Sequence, residues 1–304
     1  MNPVPPAPFV VGLDLGGTSV KGIAVRADGT ELARRTAPFD LAVPMAFACA
    51  VRDTLAALES AVGYGCPASR VGLSAPGLAA PDARSIAFMP GRFEGLENLD
   101  WARHLGLPVL PVLNDAHAAL LGEVWQGAAR DARNVILLTL GTGVGGAAMV
   151  DGRLLRGRSG KAGHLGHVCL NPDGAPGITR IPGSLEDAIG NHNIAARSGG
   201  RFATTHDLVA AHEAGDPFAR TLWLRSVKAL AAAVASLTNV LDPEVVIIGG
   251  GIARAGDTLL APLRETVSRF EWKVCGHEVR IVPALLGDFA GAWGAARNTL
   301  PTDP

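Results

Sequence analysis

The chain has 304 residues, of which 48% are hydrophobic, and it carries a formal net charge of -1. This length suits one large domain or two lobes of about 100–200 residues each, and the apolar content is enough for a sizeable core. The near-neutral charge argues against binding to nucleic acid or to an anionic membrane surface, because both need clustered Lys and Arg.

The cysteines and the apolar stretches suggest a cytoplasmic protein. Cys49, Cys66, Cys169 and Cys275 are scattered, with no C-x-x-C pair, which in a chain of this length favours reduced thiols over a disulfide framework. The opening "MNPVPPAPF" lacks the basic and apolar regions of a signal peptide. The stretch "ALAAAVASLTNVL" at 229–241 is short and interrupted by polar residues, so it predicts a buried helix and no membrane partner.

The first elements along the chain recur later in the same order. An apolar strand at 9–15 stops at Gly16-Gly17, a second strand follows at 21–25, and Asp28-Gly29 provides a hairpin turn. The segment "NVILLTLGTGVGGAAMVDG" repeats this arrangement, and Gly141 stands 125 positions after Gly16. An internal repeat of this kind predicts two similar lobes, each of which opens with an antiparallel meander.

Helices and single strands complete each predicted lobe. Strands are expected at 70–77, 108–115 and 243–251, and helices at 45–61, 214–242 and 256–270, with a small-residue helix at the end of the chain. Asp216 and Pro217 are placed to begin the long helix. The order βββ-α-β-α, followed by βββ-α-β-α, predicts an α/β fold with a functional site in the cleft between two lobes.

Two glycine-rich turns are candidates for holding phosphate, and a third glycine run occurs later in the chain. Glycine permits a close approach of backbone N–H groups to an oxyanion, although each turn also has a simple reading as a hairpin. No G-x-x-x-x-G-K-[ST] motif occurs, and Arg254 occupies the third glycine position of a G-x-G-x-x-G motif, so neither a P-loop nor a dinucleotide fingerprint is present. The candidate residues are Gly16, Gly17, Thr18, Gly141, Thr142, Gly143, Gly249, Gly250 and Gly251.

Several segments together resemble one known family. "GLDLGGTSVKG", "LNDAHAALLGE", "LTLGTGVGGAAMVDG", "GHLGHV", "LDPEVVIIGGG" and "GDFAGAWGAA" occur in this order between residues 10 and 300. The chain resembles the sugar kinases of the ROK family, within the actin-like ATPase superfamily. The resemblance implies a two-lobed actin-like (ribonuclease H-like) fold with a duplicated βββαβα core and an interlobe cleft. It also implies a small-molecule sugar substrate, ATP with Mg²⁺ and, in many members, a homodimer.

The resemblance also implies a division of the chain and excludes one class of member. The N-terminal lobe is expected at 1–116, completed by the C-terminal helix at 289–304, and the C-terminal lobe at 117–288. ROK repressors carry a DNA-binding module before the first glycine turn. Only about a dozen residues precede Asp14, so the sequence favours an enzyme that does not bind nucleic acid.

The family pattern assigns roles to individual residues. Asp115 is expected to act as the general base that takes a proton from the attacking sugar hydroxyl. Asn114 is expected to bind sugar hydroxyls, although helix capping is the simpler reading. Asp14 is expected to face Mg²⁺ through water or phosphate. Lys21 is equally compatible with a phosphate contact and with a solvated surface lysine. Gly249–Gly251 resembles the family's stretch near the adenosine of ATP. Further sugar contacts are expected from Pro76, Gly77, His164, His167 and Glu186.

The stretch "KAGHLGHVCLNPDGAPGITRIPGSLED" departs from the family pattern. His164 replaces the family's glutamate, and the three cysteines that bind a structural zinc in the family become Gly177, Thr179 and Ser184. The family's structural zinc is therefore not expected. An alternative site of His164, His167 and Cys169 lacks a fourth ligand nearby, because tetrahedral zinc needs four N or S ligands and His192, the only candidate, is remote in sequence. Neutral histidine offers one hydrogen-bond donor and one acceptor, whereas glutamate only accepts. His164 is thus expected to change which sugar is preferred.

Three functions stay open on the sequence alone. The first is an ATP-dependent, glucokinase-like hexokinase that phosphorylates the 6-hydroxyl of glucose, mannose, fructose or an N-acylhexosamine. The second uses polyphosphate as the phosphoryl donor. The third is a catalytically weak sugar-binding or sensory protein, suggested by the missing glutamate and cysteines. Retention of Asp14, Asn114, Asp115 and both glycine turns favours the first reading.

Overall fold

The computed structural model of the chain describes residues 8–63, 67–274 and 276–301. The opening stretch 1–7, Cys66 and Cys275, on which some of the predictions fall, lie outside these residues. Cys49 and Cys169 are exposed free thiols. The chain forms two compact units. The first comprises Met1–Asp131, Arg156–Lys161 and Leu285–Pro304, and the second comprises Ala132–Leu155 and Ala162–Ala284.

Twelve strands and nine α-helices occur in the described residues. The strands are β1 (Val10–Leu15), β2 (Ser19–Val25), β3 (Glu31–Pro38), β4 (Arg70–Ala75), β5 (Leu78–Ala79), β6 (Ile86–Phe88), β7 (Val112–Asn114), β8 (Val135–Leu140), β9 (Val144–Val150), β10 (Arg153–Leu154), β11 (Val245–Gly249) and β12 (Arg280–Pro283). The helices are α1 (Ala46–Gly63), α2 (Trp101–Leu105), α3 (Asp115–Gln126), α4 (Leu185–Ile189), α5 (Ile194–Arg197), α6 (Thr205–Glu213), α7 (Pro217–Leu241), α8 (Asp257–Phe270) and α9 (Ala290–Arg297).

Each unit is built on a five-stranded sheet of the same topology. The order is β3-β2-β1-β4-β7 in the first unit and β10-β9-β8-β11-β12 in the second. In both, the first three strands along the chain pair antiparallel and the remaining two add in parallel. The predicted internal repeat and the α/β class are therefore confirmed.

The central strands are apolar because both faces of each sheet are covered. Every residue of β11 (VVIIG) is buried between its parallel neighbours β8 and β12, the continuous apolar pattern expected of a buried parallel strand. In the first unit β1 reads VVGLDL, with Asp14 as its only charged residue. Asp14 pairs in register with Lys21 on β2 and Ser74 on β4, so a lone carboxylate is held at the carboxyl end of a buried strand.

Small residues let α9 pack directly against α3 and β1. A Cβ built on Gly294 would collide with the backbone oxygen of Ala118 on α3, so only glycine permits this approach. The turn before α9 is tied to α3 as well, because the buried Glu123 carboxylate accepts hydrogen bonds from the backbone N–H groups of Leu285 and Leu286, at 3.0 and 2.8 Å to Oε1. These contacts fix the position of Asp288, which lies between that turn and α9.

The long helix α7 begins and ends as its sequence predicts. The Asp216 side chain accepts from the Ala219 N–H at 2.9 Å, Pro217 opens the first turn, and Asp242 ends the helix in the left-handed conformation. By length and composition the helix is apolar enough to cross a membrane, but half of its most apolar window is buried inside the second unit. That burial matches the core helix predicted from "ALAAAVASLTNVL".

Four strands differ from expectation, and two of them, β5 and β6, are short strands that were not predicted. The strand predicted at 108–115 is only Val112–Asn114 long, because proline at 108 and 111 has no N–H to donate to a ladder. The edge strand β12 was not predicted. Only one of its four residues is buried and it ends at Pro283, so it lacks the apolar run that marks β11.

Candidate active site

Asn114 and Asp115 lie where β7 ends and α3 begins. Asn114 is buried and is the N-cap of α3, because its Oδ1 accepts from the N–H groups of Ala116 and His117 at 3.0 and 3.3 Å. Its Nδ2 donates to the Gly77 carbonyl and to Asp115 Oδ1, both at 2.8 Å. Asn114 therefore acts as the helix cap that the sequence left as an alternative, and it joins the Pro76-Gly77 loop to Asp115.

Asp115 combines an accessible carboxylate with a perturbed pKa. The residue is exposed to solvent, yet desolvation by the surrounding protein raises the pKa of its carboxyl, against hydrogen bonds from Ala116 and Asn114 that lower it. Both of those bonds end on Oδ1. Oδ2 is thus the oxygen that points away from the helix cap and can accept a proton from a ligand.

Asp14 is the second perturbed carboxylate of the first unit. Burial raises its pKa to about 6, the hydrogen bond from Ser74 lowers it, and the negative charges of Asp115 and Asp288 raise it further. Ser74 Oγ donates to Asp14 Oδ1 at 2.6 Å. Three carboxylates therefore share one region of this unit, and Lys21 is the cation that opposes their charge. Oxygen ligands of this kind suit a hard cation such as Mg²⁺.

The first glycine turn, Gly16–Thr18, joins β1 to β2 beside Asp14. The Gly16 N–H donates to the Ser19 carbonyl at 2.9 Å. The guanidinium of Arg92 lies over the turn, because a Cβ built on Gly17 would stand 2.5 Å from Arg92 Nη2. A phosphate held by this turn would thus meet backbone N–H groups, Lys21 on the next strand and an arginine from a separate loop.

The second glycine turn, Gly141–Gly143, is held by a different set of partners in the second unit. Its carbonyls accept from the N–H groups of Asn191 and His192, at 2.9 and 2.8 Å. The Glu186 Oε2 accepts from the Val144 N–H at 3.0 Å and lies against Gly143, where a Cβ would collide with it. The predicted sugar ligand Glu186 and the predicted phosphate turn are therefore direct neighbours.

The third glycine run closes on the same part of the second unit. Gly249 ends β11, and Gly250 has a φ of 86° with its Cα against the Leu140 carbonyl, where any side chain would collide. Leu140 is the residue immediately before the second glycine turn. Gly249, Gly250 and Gly251 are thus brought beside Gly141, and their predicted contact with adenosine stays a prediction.

His164 and His167 stack in parallel on one side of β9. Their ring centroids are 6.2 Å apart with an interplanar angle of 1°. Burial lowers the pKa of His164, and the neighbouring His167 lowers it further, so the imidazole of His164 is neutral at physiological pH. His167 Nδ1 is buried with no hydrogen-bond partner in the described residues, and a buried polar atom of this kind needs a ligand or water.

Comparison with known proteins identifies the family. The ROK family model matches residues 10–299. The chain belongs to the ROK family. It is 34% identical to a glucokinase of Thermotoga maritima, over 94% of this chain and 96% of the relative. The crystal structure of a ROK hexokinase from Thermus thermophilus superposes with a TM-score of 0.84 at 31% identity, over 96% of this chain and 97% of that one.

The relatives establish the class of activity. A ROK glucokinase from Streptomyces griseus, solved with glucose and AMPPNP, superposes with a TM-score of 0.75 at 27% identity, over 96% of this chain and 99% of that one. This ROK chain is a sugar kinase with the actin-like ATPase fold, and the resemblance drawn from its motifs is confirmed. Which atoms carry the reaction is a separate question.

The loop that binds zinc in the family is organised around a carboxylate in this ROK chain. Gly177 and Ser184 stand at two of the family's cysteine positions, and both contact Asp187. Ser184 Oγ donates to Asp187 Oδ2 at 2.7 Å, and a Cβ on Gly177 would collide with the same carboxylate. Within the described residues, no three His, Cys, Asp or Glu side chains gather so as to hold a metal ion.

Two residues near the predicted site were not singled out from sequence, and a third was considered only as a zinc ligand. Asp288 was quoted within "GDFAG" but given no role, and Arg92 lies in a loop without a recognisable motif. His192 was considered only as a remote fourth ligand for zinc, and its contact with the second glycine turn was not predicted. Only Asp288 carried a usable signal, because an acidic residue just before a glycine-rich helix is placed to face a site at the helix start.

Proposed function

We propose that this ROK kinase transfers the γ-phosphoryl group of ATP to the 6-hydroxyl of a hexose, as a glucokinase does, with Asp115 as general base. One observation carries the proposal: an accessible carboxylate with a raised pKa stands at the start of α3, linked through Asn114 to the Pro76-Gly77 loop. The two predicted groups on the sugar side of the first unit are thereby adjacent to the predicted base.

Asp115 is suited to the proton transfer that the reaction requires. As the hydroxyl oxygen forms a bond to the γ-phosphorus, the bond from that phosphorus to the β,γ-bridging oxygen breaks and ADP leaves. The hydroxyl proton passes to Oδ2 of Asp115, while Oδ1 stays bonded to Ala116 and Asn114. The raised pKa lies closer to neutral pH than that of an ordinary aspartate, which makes the carboxylate a stronger base.

Asp14 is the residue of the first unit that is expected to hold a Mg²⁺ ion. The charges of Asp115 and Asp288 raise its pKa, an unfavourable interaction that a nearby cation would relieve. Asp14 is expected to hold the ion through water or through phosphate. When bound, Mg²⁺ neutralises charge on the transferring phosphates. The turns Gly16–Thr18 and Gly141–Gly143 are expected to supply backbone N–H groups to the same phosphates.

Several hydrogen-bonding groups are expected to contact the sugar. In the first unit these are Pro76, Gly77 and Asn114. In the second unit they are His164, His167 and Glu186, of which His167 has a buried nitrogen without a described partner. Neutral imidazoles and a carboxylate are well matched to sugar hydroxyls, which both donate and accept. The S. griseus relative, solved with glucose bound, supports a hexose as the substrate class.

The proposal is tested by comparing Asp115→Asn with a matched control. Asparagine keeps an oxygen for the Ala116 N–H but cannot take a proton, so we expect the turnover number to fall at least about a hundredfold with the fold unchanged. Asp100→Asn is the control, because Asp100 also caps a helix of the first unit, accepting from the Arg103 N–H at 3.0 Å. It should retain full activity.

The assay also decides among the remaining alternatives. ADP release is measured with ATP and Mg²⁺ over a panel of hexoses and amino sugars, and NMR of the product locates the phosphate. A product phosphorylated elsewhere than the 6-hydroxyl contradicts that part of the proposal. Turnover with polyphosphate but not ATP supports the alternative donor. Absence of any sugar-dependent turnover supports the sensory reading.

A further inference from the structure

A chain of hydrogen bonds runs from the loop at 169–184 to the second glycine turn. Ser184 Oγ donates to Asp187 Oδ2 at 2.7 Å, and Asp187 Oδ1 lies 3.0 Å from His192 Nε2. His192 Nδ1 lies 3.1 Å from the Thr142 carbonyl, at the centre of the turn. The side chains of Asp187 and His192 thus connect the loop to a predicted phosphate site within one compact unit.

His192 lies between two hydrogen-bond acceptors. The Thr142 carbonyl and the Asp187 carboxylate both accept, so a ring N–H of His192 has an acceptor on either side. The exposed side-chain fractions of His192 and Asp187 are only 10% and 16%. A hydrogen bond to a carboxylate in such a site is stronger than one between two neutral groups.

The loop is only partly packed against the rest of the second unit. A cavity of about 1010 Å³ lies between the loop and α7, lined on the loop side by Pro176, Ile178 and Gly183, and on the helix side by Leu222 and Ala229. Leu170, at the start of the loop, packs against the core. Its N–H also donates to the Gly183 carbonyl at 2.9 Å, so local hydrogen bonds add to this limited packing.

Gly177 is the sequence feature that makes room for Asp187. Any side chain at position 177 would collide with the carboxylate, whereas the family places a zinc-binding cysteine there. Ser184 is the N-cap of helix α4, because its Oγ accepts from the Asp187 N–H at 3.2 Å. The same helix carries Glu186, which accepts a hydrogen bond from the Val144 N–H. The Asp187 carboxylate thus contacts two of the positions, 177 and 184, at which the family has cysteines.

We propose that Asp187 is a positioning residue that replaces the family's metal and, through His192, sets the conformation of the second glycine turn for the nucleotide phosphates. The proposal rests on the proposed function, because the turn has a ligand only if the chain binds ATP. It predicts that loss of the Asp187–His192 pair weakens nucleotide binding more than it slows turnover at saturating ATP.

Calorimetric titration with AMPPNP tests the pair without relying on activity. Asp187→Ala and His192→Ala should each weaken AMPPNP binding by about tenfold, the effect expected for a lost hydrogen bond to a charged group. The double variant should also lose about tenfold rather than a hundredfold, because both substitutions break the same connection. Additive losses, or unchanged binding in His192→Ala, contradict the proposed route.

Controls separate positioning from loss of the fold. Asp173→Ala removes a carboxylate from the same loop whose side chain makes no hydrogen bond or ion pair with the described residues, and it should bind AMPPNP as the unchanged chain does. Asp187→Asn refills the space beneath Gly177 and keeps an acceptor for His192, so it should recover part of the affinity even if the alanine variant unfolds. No recovery in a folded Asp187→Asn variant contradicts a positioning role that depends on hydrogen bonding.

Metal analysis tests whether Asp187 takes the place of the family's zinc ion. The purified chain should contain no stoichiometric zinc, and EDTA should leave its melting temperature unchanged. Stoichiometric zinc whose removal lowers the melting temperature would overturn the inference. Failure of the unchanged chain to bind AMPPNP would instead contradict the proposed function, so the two proposals fail in different ways.

Discussion

The two glycine turns occupy the same place in two sheets of the same topology, yet they are supported in different ways. The turn after β1 lies beside carboxylates and under an arginine. The turn after β8 accepts hydrogen bonds from the Asn191 and His192 N–H groups, and the Glu186 carboxylate beside it accepts from the Val144 N–H. The fifth residue of β1 is Asp14 and the fifth of β8 is Thr139. The duplicated backbone therefore provides two turns of the same kind, while at the matched strand position the first unit has a carboxylate and the second has a hydroxyl.

The largest expected difference between the halves is at these matched strand positions. Asp14→Asn should lower the turnover number about a hundredfold, because it removes the negative oxygen expected to hold Mg²⁺. Thr139→Val removes the equivalent hydroxyl of β8 and should change turnover less than tenfold. Steady-state kinetics with Mg²⁺ and ATP measure both.

The melting temperature of Asp14→Asn shows whether its loss of turnover comes from lost Mg²⁺ binding or from a damaged fold. The Asp14 carboxylate is desolvated and repelled by Asp115 and Asp288, so asparagine should not lower the melting temperature in metal-free buffer. A variant that is inactive and also strongly destabilised would point to a structural role for Asp14. An equal loss of turnover in Thr139→Val would show that the two halves contribute alike.

The pH dependence of kcat/KM tests the role of Asp115 in the first unit. Burial raises the pKa of Asp115, so its neutral form persists to higher pH than that of an ordinary aspartate, for which the pKa is about 3.9. The base must be ionised, so kcat/KM for the sugar should fall as the pH drops through this raised pKa, approaching about tenfold per pH unit. An acid limb at or below the ordinary aspartate range contradicts Asp115 as base.

Matched glycine substitutions compare the residues that contact the two glycine turns. A Cβ at Gly17 meets Arg92, which is exposed and free to move, whereas a Cβ at Gly143 meets Glu186, which is tied to the Val144 N–H. Gly143→Ala should therefore raise the KM values for ATP and sugar by about tenfold, the cost of one displaced charge-assisted bond. Gly17→Ala should raise the KM for ATP by only about twofold. The reverse order of effects would mean that the Arg92 contact is the tighter support.

Local patterns predicted the framework of this molecule well. The strand–glycine–strand repeat, the Asp216-Pro217 helix start and the Asn114 cap all depend on neighbouring residues, and all occur in the structure. The contacts of Asp187 could not be foreseen in this way. They depend on a glycine ten positions earlier and a histidine five positions later that meet only when the loop folds back.

The same limit applies to the acidic group of the first unit. Asp14, Asp115 and Asp288 are far apart in the chain and come together because α9 packs on both β1 and α3. Periodicity identifies each helix, but it does not say which strand a small-residue helix will cover. The strand position of Asp14 was therefore predictable, whereas the rise of its pKa to about 6 required the tertiary structure.

The smallest expected effect concerns which sugar the second unit prefers. His164 stands where the family has glutamate, and burial together with His167 keeps its imidazole neutral. His164→Glu replaces one donor and one acceptor by an acceptor of two hydrogen bonds. The ratio of kcat/KM values between two hexoses that differ at one hydroxyl should change by about tenfold, with turnover on the better sugar preserved. Cys169→Ser, an exposed position beyond the same histidines, is the control and should leave that ratio unchanged. If His164→Glu also leaves the ratio unchanged across the hexose panel, His164 does not contact the sugar, and the choice of substrate must depend on His167, Glu186 and the first unit.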